Sequence, residues 1–330
     1  MTWRVAGSAR ATTGTRANQE DAFEIWPSGA QAVTQRGEGL LAVVADGMGG
    51  HAGGEVAGEL ACSTFVATFT GADGATGPRL RQALDAGNSA IAEQVARDGS
   101  LRGMGCTLIG AWIDGEGLHW VSVGDSLLIL FRAPDVLRLN ADHSLGAFLD
   151  EQVRTGKISA AEAEKNPYRN ALRSALTGKA IEILDLQPDP YPLAEGDWII
   201  LASDGIATLE GDEIGDIVYA NRDVLPEEMA EKLIAAIEEK HAPDQDNTTV
   251  LVLKIEQDDT ASDEAPTRIL KAESAPPISS PLPEEGVATT QRIIQPPAVY
   301  SAFRRHRTLV LGAGMALMFL VGWMLRAVLG

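Results

Sequence analysis

The chain has 330 residues, 45% of them hydrophobic and 22% charged, and a formal net charge of −19. Seven acids and seven bases after residue 256 cancel, so the whole excess belongs to residues 1–256, and no nucleic-acid partner is expected for such a body. Cys62 and Cys106 both sit in apolar surroundings and read as buried thiols of a reducing compartment, and without a CxxC or Cys/His cluster a structural zinc site is not expected either.

The start, MTWRVAGSARATTGTR, has no apolar core, so no secretory leader is expected. Strand-like runs are expected at 5–11 and 22–26, and a third at 40–45, where LLAVVA stops abruptly at Asp46. The next residues, Gly47-Met48-Gly49-Gly50-His51-Ala52, fit the dinucleotide fingerprint G-x-G-x-x-G/A. That turn has three readings: a phosphate held by backbone N–H groups, a metal held by Asp46, or a plain turn that needs glycine. Asp46 argues against the first, because its carboxylate would repel a pyrophosphate unless a cation stood between them.

Helical patterns follow at 54–69 and 79–96, then strands at 107–113, 118–123 and 127–131. Short turns such as Asp114-Gly115-Glu116-Gly117 join these strands and predict antiparallel hairpins. Weaker helical patterns lie at 145–155 and 160–165. A strand at 198–202, a helix at 226–240 and a strand at 248–255 complete the globular part. This order lacks the βαβ alternation that a dinucleotide-binding sheet requires.

Several acids interrupt or flank these apolar runs. Arg16-Ala17-Asn18-Gln19-Glu20-Asp21 precedes AFEIW, Gly124-Asp125-Ser126 divides WVSV from LLILF, Asp204-Gly205 ends WIILAS, and Asp246-Asn247-Thr248-Thr249 opens VLVLKI. Any one of these is ordinarily a turn residue or cap. A carboxylate at the end of a buried strand, however, sits where the sheet meets solvent, so several can converge on one edge.

Taken together and in this order, RANQED, VVADGMGGHAGGEVA, MGCTLIGAWI, VGDS, ADHS, NALRSALTG, IILASDGI and DNTTVLVL resemble the bacterial form of the protein phosphatase 2C family of metal-dependent protein Ser/Thr phosphatases. The resemblance spans roughly residues 5–255. It implies an α+β fold, an αββα sandwich of two antiparallel β-sheets flanked by helices, with a dinuclear Mn²⁺ or Mg²⁺ site at one edge. By motif position Asp46 would bridge both ions and the Gly47 carbonyl would add a ligand. Asp204 and Asp246 would complete one shell, and Glu20 would approach the other ion directly or through water. Asp21 belongs to the same acidic cluster, Arg16 would hold the substrate phosphate, and Asp125 with Asp204 resembles the ligands of a third, weaker ion. Oxygen ligands suit such hard ions, which would activate water as the nucleophile. No G-x-S-x-G turn offers a serine nucleophile instead.

Three positions depart from the family pattern. Met48, Gly49 and Gly50 separate the Asp-Gly pair from His51, which leaves His51 open as general acid or as helix entry. Leu127 follows Gly124-Asp125-Ser126 where relatives often carry arginine, and Gln19 stands where bacterial members often have asparagine. Asp142-His143-Ser144 is expected to support the site, and the segment 145–180 to form a flap beside it. The implied substrates are phosphorylated proteins, with a Ser/Thr kinase and its targets as partners. A non-catalytic phosphoprotein-binding pseudophosphatase and a hydrolase of small phosphate esters are the alternatives.

The expected catalytic domain spans 1–256. Residues 257–303, rich in Pro, Ser, Thr and acids, read as a disordered linker. Residues 304–330 open with Arg304, Arg305 and Arg307 and then run seventeen residues without a charge, from Leu309 to Leu325. That is the short end of the ~17–25 needed to span a bilayer. A single C-terminal transmembrane helix at about 309–329 is therefore expected, with the basic flank and the catalytic domain on the cytoplasmic side.

Overall fold

The computed structural model describes residues 3–27, 31–34, 38–49 and 53–258, and residues 1–258 make up one compact unit. The strands are β1 (Trp3–Thr12), β2 (Ala22–Trp26), β3 (Gln31–Thr34), β4 (Gly39–Ala45), β5 (Gly47–Met48), β6 (Gly105–Cys106), β7 (Leu108–Asp114), β8 (Leu118–Val123), β9 (Leu127–Arg132), β10 (Asp135–Arg138), β11 (Asp185–Tyr191), β12 (Trp198–Ala202) and β13 (Thr248–Gln257). The helices are α1 (Gly53–Gly71), α2 (Thr76–Arg97), α3 (Leu145–Arg154), α4 (Ala160–Glu164), α5 (Gly211–Ala220) and α6 (Pro226–Glu239).

Two antiparallel sheets carry the fold, one in the order β10-β9-β12-β13-β1-β3 and the other β11-β8-β7-β4-β2. Between them lie Val5, Leu40, Ala42, Val44, Ile109, Ala111, Leu128, Leu130, Ile199, Leu201, Leu251 and Leu253. The opposite faces are covered as well. Leu41, Val43, Leu108, Trp112 and Val121 pack under Phe65 and Phe69 of α1 and Leu80 and Leu84 of α2. Ile129, Phe131, Trp198, Ile200, Val250 and Val252 pack under Ile214 and Val218 of α5 and Met229, Leu233 and Ile237 of α6. Every residue of β4, β7, β8 and β12 is buried, which is why these strands read as largely apolar runs instead of an alternation, with His119 and Ser122 in β8 and Asp114 at the end of β7 as buried polar exceptions. The layering is the expected αββα sandwich, and its antiparallel sheets exclude the dinucleotide reading of the glycine-rich turn.

One expected hairpin is absent. β7 and β8 pair as a hairpin, but β8 continues into β11 whereas β9 pairs with β12 and β10 in the other sheet. Gly124-Asp125-Ser126 is therefore a crossover between sheets. Short spacing alone cannot distinguish the two, because a three-residue connection serves equally for a turn or for a step across the stack. Helix α5 was not legible, since GDEIGDIVYA is short and its two glycines lower its propensity. A capping box between Glu210 and Glu213 and the burial of Ile214 and Val218 sustain it.

Both cysteines are free and buried, as expected. β13 runs to Gln257, and Asp258 accepts a hydrogen bond from Arg4 Nη2 at 3.1 Å, so the first two residues of the expected linker belong with the sandwich. The rest of the expected linker and the expected membrane span lie outside the described residues. Among the described residues, no helix is long and apolar enough to cross a membrane.

Gly110 of β7 lets α1 lie on the sheet, because a Cβ there would strike the ring of the fully buried Phe65. Gly110→Val should destabilise the domain by about 1–3 kcal/mol, the usual cost of overpacking, read as a lowered denaturant midpoint.

Candidate metal centre

Antiparallel pairing decides which strand ends meet. The end of β4 faces the start of β2 (Ala45 opposite Ala22), the start of β7 and, through β7, the end of β8 (Leu108 opposite Val123). In the other sheet the end of β12 faces the starts of β13 and β9 (Ala202 opposite Val250 and Leu127), and the start of β13 faces the end of β1. Asp46, Asp21, Asp125, Asp204 and Asp246 each lie just beyond one of these ends, so one edge of the stack collects all five.

A cleft of about 890 Å³ opens on this edge. Arg16, Glu20, Asp46, Gly47, Asp125, Asp204 and Asp246 all line it. Asp21 does not line it. It lies behind the cleft, where Ser203 Oγ donates to its Oδ2 at 2.7 Å.

Backbone clamps hold each carboxylate in place. Asp46 N–H donates to Thr107 Oγ1 (3.0 Å) while Thr107 N–H donates to the Asp46 carbonyl (2.9 Å), and Thr107 Oγ1 shares a 2.7 Å hydrogen bond with Ser126 Oγ. The Asp46 and Asp125 segments are thereby tied through two hydroxyls. Asn247 accepts from Glu20 N–H (2.7 Å) and donates to the carbonyls of Thr13 (3.0 Å) and Asn18 (2.9 Å), which stitches the Arg16 loop to the start of β13. Arg16 Nη2 donates to Asp246 Oδ2 at 2.6 Å. Thr107, Ser203 and Asn247 lay inside or beside quoted motifs, but their roles depend on contacts across the two sheets and had no signal in the sequence.

The glycines of the turn serve close packing. A Cβ on Gly47 would strike the carbonyls of Gly54 and Glu20, and a Cβ on Gly54 would strike the Glu20 carboxylate itself. Glu20 thus stands against the first turn of α1, where the helix dipole favours negative charge. His51 lies outside the described residues.

The electrostatics are those of buried like charge that Arg16 offsets only in part. Burial raises the Asp46 carboxyl well above the usual range, and Asp21, Asp204, Asp125 and Asp246 raise it further. Asp21 is pushed up to about 6 by burial despite its bond from Ser203, and Asp125 to about 6 by burial and then by Asp204 and Asp142. Asp204 and Glu20 are raised by burial first and by Asp246 second.

The residues fit divalent cations. The candidate ligands are all oxygen donors, and their charge is offset only in part, by Arg16. Among the described residues, no group of three or more His, Cys, Asp and Glu side chains is drawn together into a closed ligand shell. Hard ions of this kind commonly complete their coordination with carbonyls and water.

Fold and edge together define a carboxylate-lined metal centre on a two-sheet sandwich with helices outside. Residues 10–251 match the protein phosphatase 2C family, and the chain belongs to it. It is 34% identical over 252 residues to the serine/threonine protein phosphatase PstP of Mycobacterium tuberculosis, covering 75% of this chain but only 44% of that one. It is 31% identical over 227 residues to the protein phosphatase PhpP of Streptococcus pneumoniae, covering 66% of this chain and 87% of that one. The crystal structure of the M. tuberculosis phosphatase PstP/Ppp superposes with a TM-score of 0.62 at 32% identity, covering 77% of this chain and 100% of that one. The catalytic domain of PstP in complex with two manganese ions gives a TM-score of 0.61 at 30% identity, with the same coverage.

The raised carboxyls make a stability prediction. The folded, metal-free state binds more protons than the unfolded chain between the ordinary carboxylate values, about 4, and the raised values near 6 of Asp21 and Asp125. Stability of the chelator-treated protein should therefore rise as pH falls from about 7.5 to about 5. At pH 7.5 Mn²⁺ should raise the Tm instead. Asp46→Asn should raise the Tm without metal and lose most of the Mn²⁺ increment, all measured by thermal denaturation.

Proposed function

We propose that the protein hydrolyses phosphoserine and phosphothreonine in proteins, using two Mn²⁺ or Mg²⁺ ions and a third, weaker one, from a position tethered to the cytoplasmic face of a membrane. The observation that carries the enzymatic part is the convergence of Asp46, Asp125, Asp204, Asp246, Glu20 and Arg16 on one cleft. The manganese ions of the similar PstP catalytic domain support the choice of cofactor.

Asp46, the Gly47 carbonyl, Asp204, Asp246 and Glu20 would hold the ion pair, and Asp125 with Asp204 the weaker ion. When bound, such ions supply an activated water and offset charge on the phosphoryl oxygens. Arg16 orients the substrate. Its guanidinium is anchored on one side by Asp246 Oδ2, which leaves N–H groups that can meet phosphoryl oxygens as a planar fork. Asp21, bonded to Ser203, backs the cluster with negative charge and keeps the Asp204 turn in register with the start of β2. One wall of the cleft comes from residues 170–182, including Arg173 and Lys179. Asn88 of α2 pins that wall, donating to the Lys179 carbonyl at 2.7 Å and accepting from Thr177 and Gly178 N–H at 3.1 and 2.9 Å.

The tether rests on the basic flank at Arg304, Arg305 and Arg307 and on the uncharged run 309–325. A linker of about forty-seven residues spans roughly 35–40 Å as a coil, which suits membrane-proximal phosphoproteins such as a Ser/Thr kinase and its targets.

Asp46→Asn and Asp204→Asn should each lower Mn²⁺-dependent hydrolysis of a phosphothreonine peptide by on the order of a thousandfold, equivalent to several kcal/mol of charge stabilisation, while the circular dichroism spectrum stays unchanged. Near-normal turnover in either variant would refute the two-metal reading, and equal loss of chelator-sensitive turnover on a small ester alone would favour a small-molecule substrate. Truncation after Asp258 should leave phosphopeptide turnover unchanged and move the protein from the detergent-extracted membrane fraction to the soluble one. Full-length protein recovered in the soluble fraction without detergent would rule out the tether.

A further inference from the structure

We propose that Arg138, at the end of β10, is a positioning residue that fixes the Asp125 carboxylate for the weaker cation; this rests on the reading of Asp125 as a ligand.

The crossover makes such a residue necessary. Residues 124–126 belong to neither sheet, so no strand ladder holds the backbone that carries Asp125. Leu127, next in the chain, packs against the outer core of the six-stranded sheet and offers no polar side-chain group. Arg138 supplies the missing donors. Its Nη2 donates to the Asp125 carbonyl at 2.8 Å and to the Ser126 carbonyl at 3.3 Å, and its Nη1 donates to Asp142 Oδ2 at 2.9 Å. Asn140 Nδ2 adds a second hold on the Ser126 carbonyl at 2.9 Å. A planar guanidinium spanning two carbonyls and a carboxylate is a rigid fork, a geometry that an ammonium cannot reproduce.

The fork is itself anchored. Asp142 Oδ1 accepts from Ser144 N–H at 2.8 Å, and Ser144 caps α3 through Ala147 N–H. Between them His143 grips Gly124 twice, accepting from Gly124 N–H on Nδ1 and donating its own N–H to the Gly124 carbonyl, both at 3.1 Å. The His143 carbonyl then accepts from Arg173 N–H at 2.8 Å, and Arg173 lines the cleft. A continuous strut therefore runs from the cleft wall through residues 138–144 to the Asp125 turn.

Charge and position make opposite predictions. A guanidinium beside a cation site repels the cation, so by charge alone its removal would tighten binding. By position its removal frees the turn and weakens binding, as loss of an outer-sphere partner typically does by roughly 10–100-fold.

The test is Mn²⁺ titration calorimetry on the full-length protein, its Asp125→Asn, Arg138→Met and Arg138→Lys variants, with Tm measured on each. Asp125→Asn should remove the weak binding component. Arg138→Met should weaken that component at least about tenfold with the tight components within about twofold, and Arg138→Lys should weaken it less. Loss of the weak component in Asp125→Asn but an unchanged or tightened one in Arg138→Met would overturn the positioning role. No change in Asp125→Asn would overturn the ligand reading itself. Uniform weakening of all components with a fallen Tm would mark Arg138 as merely structural. If Arg138→Met fails to fold, the Arg138→Lys comparison decides on the same criteria.

Discussion

Five aspartates crowd one end of two stacked sheets, and in the metal-free protein each of Asp46, Asp21, Asp125 and Asp204 has its carboxyl raised by burial and by its acidic neighbours. Left to themselves these side chains would separate. Much of the local architecture can be understood as the restraint that prevents it. Thr107 clamps Asp46 through both backbone groups, Ser203 reaches from the end of β12 to Asp21, and Asn247 draws the Glu20 backbone to the start of β13. Apart from Arg16 on Asp246 and Arg138 on the Asp125 turn, the cluster is held by neutral donors and acceptors, which leaves most of its charge to be answered from the cleft. A site built in this way stores repulsion that divalent cations relieve.

The sandwich makes this arrangement possible at small cost. In an antiparallel sheet, alternate strands begin and end on the same edge, so carboxylates placed at the end of β4 or β12 and at the start of β2 or β13 need no long loops to meet. Beneath them the three apolar layers are continuous, and no carboxylate of the cluster has to enter a layer. Helix α1 closes one side. Its approach depends on Gly110 under Phe65 and on Gly47 and Gly54 beside Glu20, so one glycine of the apparent nucleotide fingerprint, Gly47, and another just past it, Gly54, allow a carboxylate to stand at the helix entry.

The wall formed by residues 170–182 belongs to neither sheet. Asn88 fixes it to α2, Leu176 pairs with Cys106 next to the Asp46 turn, and His143 links it to the Asp125 crossover. That wall and the Asp125 crossover are therefore mechanically joined, and through Leu176, Cys106 and the Thr107–Ser126 hydroxyl pair the Asp46 turn is joined to both.

By itself the sequence showed eight of the strands and, through the order of its motifs, a resemblance that implied the layered class and the acidic residues of the site. An aspartate ending a buried apolar run, as Asp46 and Asp204 do, has to lie near a sheet edge, but only the company of the other motifs marked it as more than a turn residue. The sequence did not show β3, β5, β6, β10 or β11, that Gly124-Asp125-Ser126 steps between sheets, or that α5 forms from a glycine-weakened segment. Nor could it mark Arg138, Thr107, Ser203 or Asn247 as the parts that hold the site. Those roles arise from hydrogen bonds between segments as far apart as Glu20 and Asn247. Local propensity and periodicity act over a few residues, whereas strand pairing and the stacking of sheets decide which distant backbone groups come within reach of one another.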